Sequence, residues 1–500
     1  MNDAVKQTLL ARVYDVAVET PLERAAKLST QTGCDVYLKR EDLQPVHSFK
    51  LRGAYNKMAQ LTATERKRGV IAASAGNHAQ GVAMSAKKLG ISALIVMPRT
   101  TPAIKVDAVK SWGAAVELAG DSYSDAAEHC KIRQKETGRT YVHPFDDPLV
   151  IAGQGTIGRE ILEQLPSVTH IFVPVGGGGL IAGIAQYIKV LKPEVQVIAV
   201  EPEDSNVLQA SLHADERVVL PHVGIFADGV AVKQMGVHTF KICRELVDDC
   251  ITVSTDELCA AMKAVFEETR SIVEGAGALG VAGIQKYAAA HDLSGFQAVA
   301  ICSGANITFE RLQFVAERTL LGSGKEALYA VTMPEEPGAL QQFCNQIVNG
   351  HNITQFGYRL NQRTSAQVFV GINVSDAADK KSFAGKLKRH GYVYTDLSNE
   401  DTAKEHVRHM IGGPAPLAAN ERFYRIIFPE RPGALGDFLK AVSDTWNISL
   451  FHYRGQGGDE GNVLVGFEAP DHAKLEQALA NTGYEYTPAD NDASLRLFLQ

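Results

Sequence analysis

The chain predicts an α/β fold followed by two smaller ferredoxin-like units, and three observations carry that expectation. From about residue 20 to 320, short apolar β-rich runs alternate with helical stretches. "ALIVMP" at Ala93, "HIFVPV" at His170, "VQVIAVEP" at Val195 and "AVAICSG" at Ala298 read as strands, and "DELCAAMKAVFEETR" (256–270) as a helix. Strands that are apolar almost without interruption belong to a parallel sheet with helices on both faces. Beyond residue 330 a repeat appears, "PEEPGAL" at Pro334 returning as "PERPGAL" at Pro429, 95 positions on. The register holds from "NITQFGYR" (352–359) to "NISLFHYR" (447–454), then slips by three at Gly391-Tyr392 and Gly483-Tyr484, which predicts an indel in a loop. Each copy reads strand, Pro-Gly turn into helix, two strands, helix, strand, the βαββαβ order.

These breaks divide the chain into 1–320, 326–410 and 421–500, with "IGGPAPLAANE" (411–421) between the copies. Two copies are too few for a solenoid, so the expectation is that they pair with each other. The alternative is a repeat that only mediates oligomer contacts.

A length of 500 residues with 45% hydrophobic residues supports several cores, and a net charge of −7 without basic clusters argues against nucleic acid or a membrane surface as partner. The seven cysteines (Cys34, Cys130, Cys243, Cys250, Cys259, Cys302, Cys344) are scattered and form no CxxC pair. That fits reduced cytosolic thiols better than disulfides or a zinc site, so no metal is expected. The N-terminus shows no signal-peptide pattern, and "IFVPVGGGGLIAGIAQYI" (171–188) reads as strand, loop and helix rather than a membrane span because of its proline and four glycines. A cytoplasmic protein is expected.

Taken in chain order, the chemistry begins at "PVHSFKLRGA" (45–54), where Lys50 stands between Phe49 and Leu51. A lone lysine there could snorkel from an amphipathic helix. A buried one loses hydration, its pKa falls, and it becomes a nucleophile and base. "SAGNHAQG" (74–81) follows a strand and opens a helix; its small residues let a flat ligand approach, and the Asn77 amide can donate to a ring oxygen or else cap its own helix. "VPVGGGGLIAG" (173–183) ends a buried strand in Gly176, Gly177, Gly178 and Gly179 before a helix near Leu180. Successive N–H groups and a helix start make a cradle for a phosphate dianion. "AICSGANI" (300–307) puts Ser303 at the carboxyl end of a strand, where ligands of open α/β sheets gather, beside Cys302, which reads as an inert buried thiol. A lysine able to form an imine, a phosphate cradle, a ring-facing amide and a hydroxyl at a strand end suit one cofactor, pyridoxal 5′-phosphate.

With "TPLERAAKLS", "VYLKREDLQPVHSFKLRGA", "EGAGALG" (274–280) and "CSGAN" in the same order, nearly the whole chain resembles the biosynthetic threonine dehydratases (threonine deaminases). These are fold-type-II, tryptophan-synthase-β-like enzymes whose long allosteric form carries two ACT-like regulatory domains. The resemblance implies threonine ammonia-lyase activity, giving 2-oxobutanoate and ammonia, with serine as a further substrate. It implies that Lys50 holds the cofactor and takes the Cα proton. Asn77 would face the ring 3′-oxygen, Gly176 to Leu180 the phosphate and Ser303 the ring nitrogen, which a hydroxyl leaves neutral. Ser74, Ala75, Gly76 and His78 would receive the substrate carboxylate, although His78 taken alone reads as structural. Glu274, whose motif also matches, would line the cofactor pocket in a role that the sequence does not assign. Ala75 stands where serine racemases of this group carry a hydroxyl, which speaks against racemisation.

The resemblance further implies a homotetramer inhibited by isoleucine and activated by valine. The matched Tyr358 and Tyr453 are either effector contacts or packing between the copies. Rival readings are a serine dehydratase, another β-eliminating or β-replacing enzyme of this fold, or a non-catalytic amino-acid sensor, which would have no need of Lys50, the glycine loop and Ser303 together.

Overall fold

A computed structural model describes residues 3–224, 226–362, 364–410, 412–429, 433–442, 445–454, 460–490, 495 and 499. The core of the second Pro-Gly turn, Glu430 to Pro432, lies outside the described residues. The chain forms two compact units, Met1–Thr319 and Leu320–Gln500.

The first unit holds two sheets. A six-stranded sheet runs in the order Leu22–Arg24, Asp35–Lys39, Gln297–Ile301, His170–Pro174, Gln196–Pro202, Asp249–Val253. All neighbours are parallel except the first pair. A four-stranded parallel sheet runs Ala115–Leu118, Ala93–Met97, Val70–Ala73, Thr140–Tyr141. Every residue of Val70–Ala73, Ala93–Met97 and His170–Pro174 is buried, as strands covered on both faces must be. Strand carboxyl ends lead into the candidate motifs: Val70–Ala73 into "SAGN", His170–Pro174 into the glycine run, Gln297–Ile301 into "CSGAN". Crevices at such ends are where open α/β sheets bind ligands.

The helix Lys50–Ala59 crosses the helix Pro148–Gln164 at a glycine pair. A Cβ on Gly153 would lie 2.7 Å from Gly53 Cα, and one on Gly53 2.8 Å from the Val150 carbonyl oxygen. Gly53 therefore serves close helix contact.

The second unit is one eight-stranded antiparallel sheet built from both copies. Each copy contributes strands in ferredoxin-like order, and the copies join edge to edge through Ile353–Arg359 and Asn447–Arg454. The pairing puts Phe356 opposite Tyr453 and Tyr358 opposite Phe451, a pseudo-twofold arrangement about Gly357 and His452. Joining removes two exposed edges and lets a single apolar cluster run through both copies. The slip of three belongs to a helix rather than a loop: Ala377–Arg389 has 13 residues and its counterpart His472–Asn481 has 10. That is close to one turn, so the buried face is preserved. No helix of the described residues is long and apolar enough to cross a membrane.

Candidate active site

Lys50 is the first residue of its helix, after Phe49 in helical geometry without a side-chain cap. It is half-buried; its ammonium donates to the Pro144 carbonyl at 3.3 Å and lies 5.1 Å from the Phe49 ring. Burial pushes its pKa down to about 8, against the opposing pull of Glu274. The amine is thus within reach of its neutral, nucleophilic form near neutral pH.

Asn77 begins the helix Asn77–Leu89, but its side chain does not cap it. The amide Nδ2 donates to Glu274 Oε1 at 2.6 Å, and Oδ1 accepts from Asn306 Nδ2 at 2.6 Å. Both ends of the amide are therefore assigned, which leaves one N–H of Nδ2 for a ligand. Asn306 also donates to the carbonyls of Val46 (2.9 Å) and His47 (3.4 Å), tying this amide to the segment just before Lys50. Glu274 is buried; burial first and Asp228 second push its pKa up to about 7. Glu274 and Asn306 fall inside the quoted stretches "EGAGALG" and "CSGAN", and the fold shows that both hold the Asn77 amide.

His78 is buried, and its Nε2 lies 2.8 Å from the Val142 carbonyl. Burial, with Lys50 second, lowers its pKa to about 3, so the ring stays neutral and structural. Ser74, Ala75 and Gly76 are half-buried at the helix start.

The glycine run is buried throughout, and the helix begins at Gly179, one residue before the expected Leu180. Gly178 has φ +88°, the left-handed region that favours glycine. A Cβ on Gly177 would lie 2.2 Å from the Phe145 ring and one on Gly176 2.8 Å from Val230 Cα. The first bond into the helix runs from the Ala182 N–H to the Gly178 carbonyl, and Thr239 Oγ1 donates to the Gly177 carbonyl. Among the described residues no protein acceptor takes the N–H groups of Gly176 through Ile181. Buried donors without partners at a helix start are what a phosphate dianion satisfies, so these residues fit the phosphate of pyridoxal 5′-phosphate.

Ser303 is buried, and its hydroxyl donates to the Ala276 carbonyl at 3.2 Å. Its own carbonyl accepts from the Phe49 N–H at 3.2 Å, and Ser48 bridges Gly304. The Ser303 strand end is thus laced to the lysine segment. The Ser48 hydroxyl, buried beside it, has no hydrogen-bond partner among the described residues. Cys302 is fully buried and its thiol pKa is pushed well above the ordinary value, in line with an inert thiol.

Two residues beyond Lys50, Arg52 anchors the same helix from within the core. Its guanidinium meets Glu41 (2.7 and 2.8 Å) and Glu160 (2.5 and 3.0 Å), all three side chains fully buried. Lys39 completes the cluster at 2.6 Å from Glu160. The four formal charges cancel, the condition under which buried ions are tolerated. A run of charges spread over residues 39–160 carries no local pattern, and sequence reading missed this cluster.

In the second unit the repeat frames two related cavities. One, of about 260 Å³, is lined by Tyr453; the other, of about 30 Å³, is lined by Tyr358, whose hydroxyl donates to Glu335 at 2.6 Å.

The parallel sheet with its motifs at the strand ends defines a class, for residues 13–304 match the family model of pyridoxal-phosphate dependent enzymes, and the protein is one of these. Residues 317–407 and 415–499 match the C-terminal regulatory domain of threonine dehydratase. The chain is 52% identical to the biosynthetic L-threonine dehydratase of Burkholderia multivorans, covering 100% of this chain and 99% of that protein. It is 48% identical to the Escherichia coli biosynthetic L-threonine dehydratase over 99% and 96% of the two chains. The chain belongs to the biosynthetic threonine dehydratases, a family of pyridoxal-phosphate-dependent lyases. In three dimensions it is similar to the processed threonine deaminase isoform 2 of Solanum lycopersicum, with a TM-score of 0.62 and 48% identity over 63% of this chain and 92% of that one.

Proposed function

We propose that this chain converts L-threonine to 2-oxobutanoate and ammonia by α,β-elimination, the first step of isoleucine biosynthesis, in the cytoplasm and as a homotetramer. The single observation that supports the chemistry best is Lys50, a half-buried amine at the start of a helix whose pKa has fallen to about 8. Pyridoxal 5′-phosphate, when bound, supplies an aldehyde for amine capture and a conjugated ring that takes up the electron pair of the broken Cα–H bond.

The protein's own groups do the rest. Lys50 would hold the cofactor through its Nζ, and the same amine in its neutral form would be the base for the threonine Cα proton. The N–H groups from Gly176 to Leu180 hold the phosphate dianion with the helix start behind them. Asn77, its amide oriented by Asn306 and Glu274, would offer its remaining N–H to the ring oxygen. The Ser303 hydroxyl, which donates to the Ala276 carbonyl, would be the donor for the ring nitrogen, and a hydroxyl would leave that nitrogen uncharged. Ser74, Ala75, Gly76 and His78 present the substrate carboxylate with backbone N–H groups and the Ser74 hydroxyl at a helix start; the His78 ring stays on Val142.

Residues 326–410 and 421–500 act as regulatory domains that bind isoleucine as feedback inhibitor and valine as activator, with Tyr358 and Tyr453 as candidate contacts. Effector binding regulates only by differing between active and inactive arrangements.

The test is the visible spectrum of the purified protein followed by threonine addition. An absorbance band near ~410 nm that Lys50→Ala removes, 2-oxobutanoate formed faster from threonine than the ketoacid from serine, and suppression by isoleucine are the expected results. Absence of the band in the wild-type protein refutes the reading of Lys50.

A further inference from the structure

Between the strand Thr140–Tyr141 and the helix Pro148–Gln164 runs a short segment, His143 to Asp147, that belongs to no helix or strand. Among the described residues, 143–146 make no backbone–backbone hydrogen bond, so side chains decide the shape of this stretch. It meets both halves of the cofactor site, which lie on separate elements. The Pro144 carbonyl accepts from Lys50 Nζ at 3.3 Å. The Phe145 ring lies against Gly177, and a Cβ on Gly179 would come 2.9 Å from Phe145 Cβ.

Two side chains fix the segment. His143 Nδ1 accepts from the N–H groups of Phe145 (3.2 Å) and Asp146 (2.8 Å), a turn closed by a side chain on the backbone just ahead of it. A backbone N–H can only donate, so Nδ1 carries a lone pair and the neutral ring keeps its proton on Nε2. Burial pushes the pKa of this ring below its ordinary value, and Lys50 acts in the same direction against Asp146 and Asp147. Asp146 reaches across 91 to 93 positions to the helix Val237–Leu246. The residue before that helix, Gly236, has no side chain to cap with, and a Cβ there would fall on the Asp146 carboxylate. Asp146 instead accepts from the N–H groups of Val237 (2.8 Å), His238 (2.8 Å) and Thr239 (3.2 Å), and its charge suits the helix start. Thr239 is fully buried and passes the connection on, its hydroxyl donating to the Gly177 carbonyl at 2.7 Å.

We propose that His143 and Asp146 are positioning residues for the cofactor. The imidazole shapes the segment that meets Lys50, Asp146 fastens that segment to the helix that holds the glycine run, and together they set the spacing between amine and phosphate cradle. This rests on the reading of Lys50 and of Gly176 to Leu180 given above. A ligand held at both ends gains from both only when their spacing matches its own.

Equilibrium dialysis of the full chain against pyridoxal 5′-phosphate and against pyridoxal reads the outcome, because pyridoxal lacks the phosphate and reports on Lys50 alone. His143→Phe keeps an aromatic ring and removes the acceptor. It should weaken binding of the phosphate form roughly 10- to 100-fold and of pyridoxal by no more than about threefold. His143→Asn places an oxygen as many bonds from Cα as Nδ1 is, and should bring affinity back within about threefold of wild type. Asp146→Ala should weaken the phosphate form roughly 3- to 30-fold. Ser122→Ala, which removes a cap from the helix Tyr123–Thr137, should leave affinity within about twofold. Should His143→Phe fail to give a cooperative thermal melt, His143→Gln, whose oxygen lies one bond further out, takes its place. Wild-type affinity in the folded variant, no recovery in His143→Asn, or an equal loss for pyridoxal and its phosphate overturns the proposal. If Lys50→Ala keeps the ~410 nm band, the reading of Lys50 fails and this inference with it. A band lost in Lys50→Ala beside full affinity in His143→Phe refutes the positioning alone.

Discussion

Replacing Arg52 by methionine removes six hydrogen bonds from the core of the first unit at one stroke. The consequences for its two carboxylates differ. Glu160 keeps Lys39 at 2.6 Å and the Tyr14 hydroxyl at 2.8 Å. Glu41 keeps only the neutral donors Thr20 (2.6 Å) and Gln44 (3.2 Å) and loses the cation it touches. An unpaired charge is left buried, which costs about 3–5 kcal/mol out of the ~5–15 kcal/mol that holds a typical domain together. In the wild-type protein, burial alone would raise the Glu41 carboxyl, and the Arg52 guanidinium more than offsets it, leaving the pKa below its ordinary 4.5. That stabilisation is present above pH 4.5 and lost as pH falls through the folded value. Without Arg52, burial prevails and Glu41 takes up a proton instead. Urea unfolding of the cofactor-loaded protein should therefore show a gap between wild type and Arg52→Met that is widest near pH 7 and narrows toward pH 4. Adding Glu41→Gln should recover about half of the loss at pH 7. A loss below about 1 kcal/mol, or a gap that does not narrow in acid, would mean that charge compensation is not what Arg52 supplies.

Other outcomes follow from the site. In the cofactor-free protein Glu274, raised to about 7, holds a proton between roughly pH 4.5 and 7 that the unfolded chain has released, so stability falls as pH rises through that window. Glu274→Gln should flatten this trend by about 2–3 kcal/mol between pH 5 and 8, read from urea midpoints; an unchanged slope would refute it. Lys50, lowered to about 8, has released a proton that the unfolded chain keeps up to about 10.5, so stability rises with pH across that interval. Lys50→Met in the cofactor-free protein should be more stable at pH 7 by up to ~3 kcal/mol, the advantage vanishing by about pH 10.5. Gly177→Ala drives a Cβ into the Phe145 ring and should weaken cofactor affinity at least ~10-fold, measured by equilibrium dialysis. Phe145→Ala in the same chain should restore part of it.

Much of the architecture could be read along the chain because its signals are local. Apolar runs such as His170–Pro174 report burial on both faces through their own composition, and the glycine run reports a close approach of backbone through the absence of side chains. The repeat at a spacing of 95 announced two copies of one unit, and the pairing of those copies followed from strand edges that would otherwise stay open. Where the copies differ in length was misplaced: helix and loop residues carry no mark of an insertion, and only the buried faces of Ala377–Arg389 and His472–Asn481 show that a turn of helix was gained.

What the chain by itself determined is therefore the set of elements, their order and the residue types at the strand ends. Which polar group meets which was decided by the tertiary structure. Asn77 is oriented by Glu274 and Asn306, 197 and 229 positions away, and Arg52 is neutralised by Glu160, 108 positions away. The physical reason is the range of the forces involved. Periodicity and turn chemistry act between near neighbours in sequence, whereas the partner of a buried charge or amide is chosen by how whole elements pack, because leaving such a group unpartnered costs more than any local preference can return.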